Sequence, residues 1–580
     1  MRVTHTLKRR IPQVDFKDQQ ISRVLARVLA NRGVSSVSEL KHSLKDIHRP
    51  DQLSGISQAC DLLHTALQQQ LHIMIVGDFD ADGATSTAVM MRGLAMLGFK
   101  HVSYQVPNRF EYGYGLTPEI VDLVALQKPD LIITVDNGVA SHAGVHHARS
   151  LGIKVLVTDH HLPGDTLPAA DAMVNPNLNN DPFPSKNLAG VGVAFYLLVA
   201  FRAFLRQQKY YQQQPEPDIA SLLDLVALGT VADVVPLDSN NRILVEQGLR
   251  RMRQGQCCEG IKALFTVAKR NLRKLNASDL GFVAGPRLNA AGRLNDMSLG
   301  IECLLADSAS RAYELAELLN EMNLERRALE TTMRAEAKQM MQGLMDSIDA
   351  EAVKASICLY DSQWHQGIVG LLASRIKDQF QRPAIAFAPV SDTEVKGSAR
   401  SVPGVHIRDV LDAVAKKAPD ILSRFGGHAM AAGLSLHPDH LSTFEALFEA
   451  EVQRISQVTV GQCTILSDGE LQHNEINITT AELLDRSGPW GQGFPEPVFD
   501  GVFNVVEHRV VGKNHLKLIV ACSDQPEAEY DAIAFNQNQD VLNRTGKHVK
   551  LVYQLDINEF RGRRTAQLLV RHILPATALC

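Results

Sequence analysis

At 580 residues the chain is too long for a single hydrophobic core, which indicates three or four domains. Hydrophobic residues make up 45% and charged residues 21%, as is typical of a soluble globular protein. The net charge of only −5 excludes a global positive field, so a polyanionic substrate would have to be bound by local basic patches.

Cysteine usage and the absence of long apolar runs predict a cytoplasmic location. The eight cysteines are scattered and include no Cys-x-x-Cys spacing, which argues against structural zinc and for a reducing compartment. The basic start, Met1 to Arg10, is not followed by the apolar region of a signal peptide. No window approaches the roughly 18 to 20 apolar residues of a membrane span, so we expect no membrane association.

In chain order, the first predicted elements are short amphipathic helices up to about residue 65, followed by alternating strands and helices from about 70 to 235. This alternation predicts a parallel α/β sheet. Three strands end in acidic or imidazole groups: Leu71–Val76 leads to Asp78, Asp80 and Asp82; Leu131–Val135 leads to Asp136; Lys154–Thr158 leads to Asp159, His160 and His161.

These three strand ends predict a metal site. Runs of β-branched residues are typical of strands buried on both faces, and parallel sheets place their chemistry at the carboxyl ends of the strands. Up to five aspartates and two histidines would then face one crevice. Like charges at such range repel strongly, so the arrangement requires cations between them.

Simpler interpretations exist for each motif. Asp-x-Asp-x-Asp-Gly also opens EF-hand calcium loops, but the twelfth position from Asp78 is Val89 rather than glutamate. Asn137-Gly138 favours a hairpin turn, although the following Val139–Ser150 has a helical pattern. A histidine pair is often a solvated loop. The joint pattern favours the metal site over all three.

Aspartates with imidazole suit Mn²⁺ or Mg²⁺ better than zinc. A pair of such ions activates water and stabilises charge on phosphoryl oxygens. The predicted chemistry is therefore hydrolysis of a phosphoester or phosphoanhydride with two divalent ions.

The remaining elements predict a second α/β unit and a barrel. Residues 307 to about 348 form one long helix with few breakers, of the kind that bridges domains. Strands at Ile357–Tyr360 and Ala384–Phe387 begin a second α/β unit. From about residue 460 alternating strands predict a small β-barrel, and the basic turn Glu559–Arg564 with Lys513, His515 and Lys517 suits a single nucleic-acid strand.

Several strings identify a family resemblance. Asp159-His160-His161, the Asp78–Gly83 block and Asp233 resemble the DHH phosphoesterase superfamily, and Gly426–Gly433 resembles its associated DHHA1 domain. From about residue 50 onward the chain resembles the family of exonucleases that degrade single-stranded DNA from the 5′ end. The blocks that carry this resemblance are Pro107–Leu116, Gly285–Arg293, Trp364–Gly370 and Gly397–Ser401.

The resemblance implies an α/β fold: a parallel-sheet DHH domain and a smaller α/β DHHA1 domain joined by a long helix, plus a C-terminal β-barrel of the OB-fold type. The expected boundaries are an N-terminal helical segment at 1–50, the DHH metal-binding domain at 51–240, a helical region with the linker helix at 241–350, DHHA1 at 351–460, and the nucleic-acid-binding OB-fold at 461–580.

Position by position, the resemblance implies these metal ligands: Asp80, Asp82, Asp136, His160 and Asp233. Asp136 would bridge the two ions, and Asp78 and His161 would complete the catalytic group, His161 touching the scissile phosphate. Many family members have a histidine ligand where this chain has Val76, so Asp78 or water is expected to take that coordination position.

Substrate contacts are implied for these residues: Arg109, Tyr114, Arg287, Ser398, Arg400 and His428. Guanidinium groups and loop amides suit phosphate oxygens, whereas any single arginine could instead form a surface ion pair. Tyr112, Tyr114 and Trp364 fit either base stacking or core packing.

The function implied is a processive 5′→3′ exonuclease on single-stranded DNA in recombination and repair. Helicases and single-strand-binding proteins are the implied partners, and a monomer is expected. Two alternatives compete. A DHH hydrolase of short oligonucleotides would usually be shorter and lack the barrel. A non-catalytic DNA-binding scaffold would have lost acidic ligands that this chain retains.

Overall fold

The computed structural model describes residues 4–16, 21–107, 115–212, 214–294, 296–345, 354–364, 366–367, 369–427, 429–455, 462–512, 515–523, 525–537, 540–560 and 562–576. It begins with a strand and a short helix, β1 (Thr4–Arg9) and α1 (Arg23–Ala30). Short 3₁₀ helices lie at Val37–Lys41, Leu44–Asp46, Pro50–Gln52, Tyr210–Gln212, Ile219–Leu222, Leu272–Lys274, Pro438–His440 and His473–Glu475.

A five-stranded parallel sheet forms the centre of the first α/β domain. Its strands are β2 (Ile73–Val76), β3 (Val102–Gln105), β4 (Leu131–Val135), β5 (Lys154–Thr158) and β6 (Ala172–Val174). Its helices are α2 (Ile56–Gln69), α3 (Ala81–Met96), α4 (Pro118–Ala125), α5 (His142–Ser150) and α6 (Gly190–Gln207). The strand order is β3-β2-β4-β5-β6, so the three strands expected to carry the metal site are neighbours, as predicted.

The expectation that no window approaches a membrane span is wrong for α6, which is long and apolar enough to cross a membrane. However, 61% of its 18-residue apolar window is buried inside the protein. It packs against α2, α3 and α7 (Leu223–Ala232), which accounts for its composition. The apolar sequence of α6 therefore reflects a core position in the first domain.

A helical region follows α7. It contains α8 (Ser239–Arg253), α9 (Glu259–Val267), α10 (Ala277–Asp279), the π-helix Leu280–Ala284, α11 (Gly285–Leu294), α12 (Ser298–Leu305) and the long α13 (Ala309–Met345). The expected linker helix is thus present. Its first turns are buried in the main core, and it also packs against the first helix of the second α/β domain.

The second α/β domain has a mixed sheet. Its elements are β7 (Ile357–Tyr360), α14 (Val369–Phe380), β8 (Ala384–Ser391), β9 (Glu394–Arg400), α15 (Ile407–Lys417), β10 (Leu422–Gly427), β11 (Ala431–Leu436) and α16 (Leu441–Ile455). The strand order is β10-β11-β9-β8-β7, and within it only β7 and β8 run parallel.

The C-terminal region forms the predicted barrel. After β12 (Gln462–Ser467) and α17 (Ile478–Arg486) come β13 (Phe499–Val511), β14 (His515–Cys522), β15 (Gln525–Ala534), α18 (Asp540–Thr545), β16 (His548–Phe560) and β17 (Arg563–Pro575). The barrel closes in the order β13-β14-β15-β17-β16. Its interior is filled by large apolar side chains such as Phe499, Phe503 and Tyr553.

The expectation of helices throughout the N-terminal segment is wrong for its first described residues. Strand β1 pairs in parallel with β12, at the entrance to the barrel domain. Leu7 of this strand is buried against Ile465, Val552 and Leu574. Because the partner strand lies more than 450 residues further along the chain, the pairing cannot be predicted from the sequence of residues 4–9.

Candidate metal centre

The carboxyl ends of β2, β4 and β5 meet at one edge of the parallel sheet. Strand β2 leads into the loop that contains Asp78 and Asp80, β4 leads to Asp136, and β5 leads to His160 and His161. The sheet therefore brings together side chains that lie far apart in sequence, as expected for this architecture.

The starts of two helices hold Asp80 and Asp82. Asp80 is the N-cap of α3, and its Oδ1 accepts hydrogen bonds from the amides of Asp82 at 2.9 Å and Gly83 at 3.0 Å. Asp82 is fully buried, and its oxygens accept hydrogen bonds from the amides of Gly190 at 2.6 Å and Val191 at 2.9 Å. Because these amides begin α6, the helix dipole stabilises the Asp82 carboxylate.

Asp136 has an unusual backbone conformation. Its φ is 63°, in the left-handed region that residues with a side chain rarely adopt. The neighbouring Asn137 donates a hydrogen bond from Nδ2 to the carbonyl of Val76 at 3.1 Å, which ties the turn to β2. A Cβ on Gly190 would lie 2.6 Å from the Cβ of Asp136, so only glycine fits beside it. Strain of this kind is typical of functional sites.

Carboxylates from three segments converge on Nε2 of His160. This atom lies 3.1 Å from Oδ1 of Asp136, 3.6 Å from Oδ2 of Asp233 and 3.9 Å from Oδ2 of Asp82. Asp233 is the C-cap residue of α7, so a helix outside the three strand ends supplies it.

The candidate ligand atoms fall into three groups, in each of which all atoms lie within 4.8 Å of one another. The groups are Asp136, His160 and His161; Asp82, His160 and Asp233; and Asp78, Asp80 and Asp136. Asp136 and His160 belong to two groups each, as ligands shared between neighbouring ions would. Within the described residues, the buried Oδ1 of Asp78 and Oδ2 of Asp233 have no hydrogen-bond partner. The donor set therefore fits Mn²⁺ or Mg²⁺.

The carboxyl groups destabilise one another's charged forms. Burial, followed by repulsion from Asp80, raises the pKa of Asp78 to about 7 and that of Asp82 to about 7. Burial, followed by repulsion from Asp82, raises the pKa of Asp136 and of Asp233 well above the usual carboxyl value. Divalent cations would relieve this repulsion.

Asp159 lies behind the metal centre rather than in it. Burial would raise the pKa of Asp159, but hydrogen bonds from His161 and from the amide of Val139 outweigh burial and lower it. Burial would lower the pKa of His161, and its interaction with Asp159 outweighs this and raises it. The pair therefore favours an ionised carboxylate that holds the His161 ring.

Two expected phosphate ligands lie side by side on β9. Nη1 of Arg400 donates hydrogen bonds to Oγ of Ser398 at 3.0 Å and to the carbonyl of Ala399 at 2.8 Å. Burial lowers the pKa of Arg400, and no charged neighbour among the described residues offsets this effect. A half-buried guanidinium without an acidic partner suits an incoming phosphate.

The other residues expected to contact the substrate either lie outside the described residues or make contacts within the protein. Arg109, Tyr114 and His428 lie outside the described residues, as do Tyr112 and Lys513, and their roles stay predictions. Arg287 is buried and donates hydrogen bonds to the carbonyl of Val283 at 2.6 Å and to Oδ1 of Asn320 at 3.1 Å. These contacts tie the π-helix to α13. Trp364 is buried in the core of the second α/β domain, where it packs rather than stacks on a base.

Gly190 and Asn289 also shape the centre, although the sequence does not predict either of them as a site residue. Gly190 donates to Asp82 and leaves room for Asp136, and the Gly-Val-Gly start of an apolar helix was the available signal. Oδ1 of Asn289 accepts a hydrogen bond from the amide of Ala81 at 2.8 Å, which fixes the acidic loop against α11. Nothing in its own segment indicates that contact.

The class that this fold and site define is the DHH phosphoesterases. The family model of the DHH family N-terminal domain matches residues 72–230, and the DHHA1 domain model matches residues 352–454. The model of the RecJ OB domain matches residues 467–572.

Full-length relatives narrow the class. The chain is 50% identical over 574 residues to the single-stranded-DNA-specific exonuclease RecJ of Escherichia coli (strain K12), covering 98% of each chain. Two crystal structures of RecJ from Thermus thermophilus are similar. The complex with Mn²⁺ has a TM-score of 0.79 and 29% identity, covering 99% of this chain and 79% of that one. The complex with Mg²⁺ has a TM-score of 0.74 and 27% identity, covering 99% and 78%. The chain belongs to the RecJ family.

Proposed function

We propose that the chain is a processive 5′→3′ exonuclease that hydrolyses the phosphodiester bonds of single-stranded DNA in recombination and repair. The observation that carries this proposal is the convergence of ligands from three strand ends and α7 into three overlapping groups, within each of which the ligand atoms lie within 4.8 Å of one another. Family membership over the full chain gives that centre its substrate class. Retention of every expected acidic ligand speaks against a non-catalytic scaffold.

The metal cofactor is Mn²⁺ or Mg²⁺, as a pair of divalent ions. The proposed ligands are Asp80, Asp82, Asp136, His160 and Asp233, with Asp136 as the bridge. When bound, the ions activate water and neutralise charge on the phosphoryl oxygens. Asp78 shares a ligand group with Asp80 and Asp136, which makes it the proposed substitute for the histidine that Val76 replaces.

The residues of the chain itself supply positioning. His161, held by Asp159, is proposed to contact the scissile phosphate. Ser398 and Arg400, with Arg109 and His428, are proposed to bind the terminal 5′ phosphate and so to set polarity. Tyr114 is proposed as a further substrate contact. The buried Arg287 is proposed to support the substrate site indirectly, through the π-helix that it ties to α13. The cleft between the two α/β domains would admit one strand, and the barrel would guide it.

The remaining proposals concern organisation and partners. We propose the domain boundaries 1–50, 51–240, 241–350, 351–460 and 461–580. A monomer in the cytoplasm is proposed, together with helicase and single-strand-binding-protein partners. The boundaries, the monomer and the partners follow from the family resemblance, whereas the cytoplasmic location follows from the cysteine usage of the sequence.

The test is digestion of a single strand labelled at either end, with Mn²⁺, Mg²⁺ or a chelator. We expect product to be released from the 5′ end with either metal, and no product with the chelator. The matching duplex serves as the control and should persist. Release from the 3′ end, or cleavage in the presence of the chelator, would contradict the proposal.

A further inference from the structure

A helix with a π-helical turn forms one wall beside the metal centre. α10, the π-helix and α11 follow one another without a break from residue 277 to 294. The amide of Gly285 donates to the carbonyl of Leu280, which is the wider hydrogen bond of a π-helix. Single π-turns inside α-helices are frequent at functional sites.

This wall packs on segments that carry candidate ligands. Oδ1 of Asn289 accepts a hydrogen bond from the amide of Ala81, which begins α3 between Asp80 and Asp82. A Cβ on Gly281 would lie 3.3 Å from Cγ1 of Val231, in the last turn of α7. That turn ends at Asp233. The π-helix therefore lies next to the metal centre.

The π-turn directs one aromatic ring into solvent. Leu280, Val283 and Ala284 are buried, whereas Phe282 is 75% exposed. No other Phe, Tyr or Trp among the described side chains is as exposed. A phenyl ring in water contributes nothing to core packing, but it offers a face on which a base can stack.

Val234, the residue after Asp233, has an unusual backbone conformation. Its φ is 63°, a conformation that is strongly disfavoured for a β-branched residue. Its side chain is 63% exposed, so no core contact offsets the backbone strain. An apolar group is thus held at the edge of the metal centre at a cost in stability, which points to a functional constraint.

We propose that Phe282 and Val234 bind the unstacked nucleotide next to the scissile phosphate. This inference rests on the proposed function. Metal ions bind phosphates, which single strands and duplexes share, whereas base faces are free only where the strand is unpaired. Phe282 stacks on one such base, and Val234 contacts the same nucleotide from the α7 side. The two side chains therefore add selectivity for single strands to a centre that binds any phosphate.

Steady-state cleavage of 5′-phosphorylated oligonucleotides tests the proposed stacking of Phe282 on a base. Phe282→Ala should raise KM by about tenfold, the loss expected for one base–aromatic stack, with kcat little changed. Phe282→Tyr should restore the KM. On a strand with abasic nucleotides next to the scissile bond, wild type and Phe282→Ala should have the same KM, because no base remains to stack.

Val234→Gly separates a binding role from a structural one. Glycine adopts the left-handed conformation without strain, so the thermal unfolding temperature should not fall, while KM should rise. The control is Leu126→Ala. Leu126 is 78% exposed and lies between α4 and the start of β4, at the opposite edge of the sheet. Its KM should equal that of the wild type.

Three results would contradict the proposed binding of a nucleotide by Phe282 and Val234. They are an unchanged KM in Phe282→Ala, an equal loss on the abasic strand, and a loss of Mn²⁺ affinity in calorimetry, which would show that Phe282 acts on the metal centre instead. In each case the wild-type protein still cleaves single strands, so the proposed function stands. Failure of the wild type to cleave single-stranded DNA would contradict the proposed function itself.

Discussion

Nδ1 of His161 lies 2.8 Å from Oδ1 of the buried Asp159, and this contact determines which ring nitrogen faces the metal centre. The same carboxylate accepts hydrogen bonds from the amides of His161 at 3.0 Å and Val139 at 2.8 Å. Because a carboxylate only accepts, Nδ1 must donate, and Nε2 remains for a metal ion or a phosphate oxygen.

Asp159→Asn should therefore reduce kcat by about 10- to 100-fold with little loss of stability, because the amide no longer enforces this orientation and protonation of His161. The measurement is single-strand cleavage beside thermal unfolding. Asp171→Asn is the matched control, since Asp171 also accepts a backbone amide, that of Val155 at 2.9 Å, but at the start of β5. Wild-type kcat in Asp159→Asn would show that Asp159 has no role in positioning His161.

Asp136→Ala should lower the cleavage rate by at least roughly 100-fold, because the carboxylate shared by two ligand groups is lost. Rates should be measured at saturating Mn²⁺, with metal content determined on the same sample. Retained activity in a folded, metal-loaded variant would contradict the two-metal assignment.

Stabilisation by Mn²⁺ should grow with pH. The pKa of Asp78 and of Asp82 is about 7 in the folded protein against 3.8 for an ordinary aspartate. Between these values the folded state holds protons that the unfolded chain releases, so the stability of the metal-free protein falls as pH rises towards 7. Metal ions must displace the same protons. The rise in unfolding temperature on adding Mn²⁺ should thus be larger at about pH 8 than at about pH 6.

Differential scanning at constant ionic strength provides the measurement. Asp78→Asn should weaken the pH dependence, because one of the protons is then absent. A rise in unfolding temperature that is independent of pH would mean that these carboxyl groups do not bind the ion.

Arg400→Ala should reduce the preference for 5′-phosphorylated over 5′-hydroxyl strands by at least about tenfold, because a charge-assisted contact to the terminal phosphate is lost. Metal affinity should be unchanged. Lys396→Ala is the control, since Lys396 is an exposed cation on the same face of β9. Equal losses on both kinds of strand would argue against this phosphate pocket.

Asp468→Ala should destabilise the protein by about 3–5 kcal/mol, because it leaves a buried arginine without its partner. Arg32 donates to Oδ1 and Oδ2 of Asp468 at 2.8 and 2.9 Å, and both side chains are buried between the N-terminal segment and the barrel domain. Urea unfolding provides the measurement. Asp51→Ala breaks the exposed pair with Arg49 and should change stability by no more than about 1 kcal/mol. A similarly small effect for Asp468→Ala would contradict a structural role for the buried pair.

The sequence by itself was sufficient to predict the centre of the first domain. Buried parallel strands have a continuous apolar pattern, and their polar ends must face one edge of the sheet, so Asp80, Asp136 and His160 could be placed together. The long helix and the barrel were also predictable, because helical and strand periodicities are local properties of the chain.

Only the tertiary structure decided which distant segments contact one another and which side chains are exposed. Pairing of β1 with β12, the contact of Gly190 with Asp136, and the exposure of Phe282 all depend on segments that meet in the folded chain alone. The resemblance implies Asp233 as a ligand, and its 3.6 Å approach to His160 results from the packing of α7 against α3 and α6. Arg287 illustrates the limit, since its partners Val283 and Asn320 could not be inferred from its charge. Periodicity reports the environment of a segment, whereas the identity of its neighbour is decided by long-range packing.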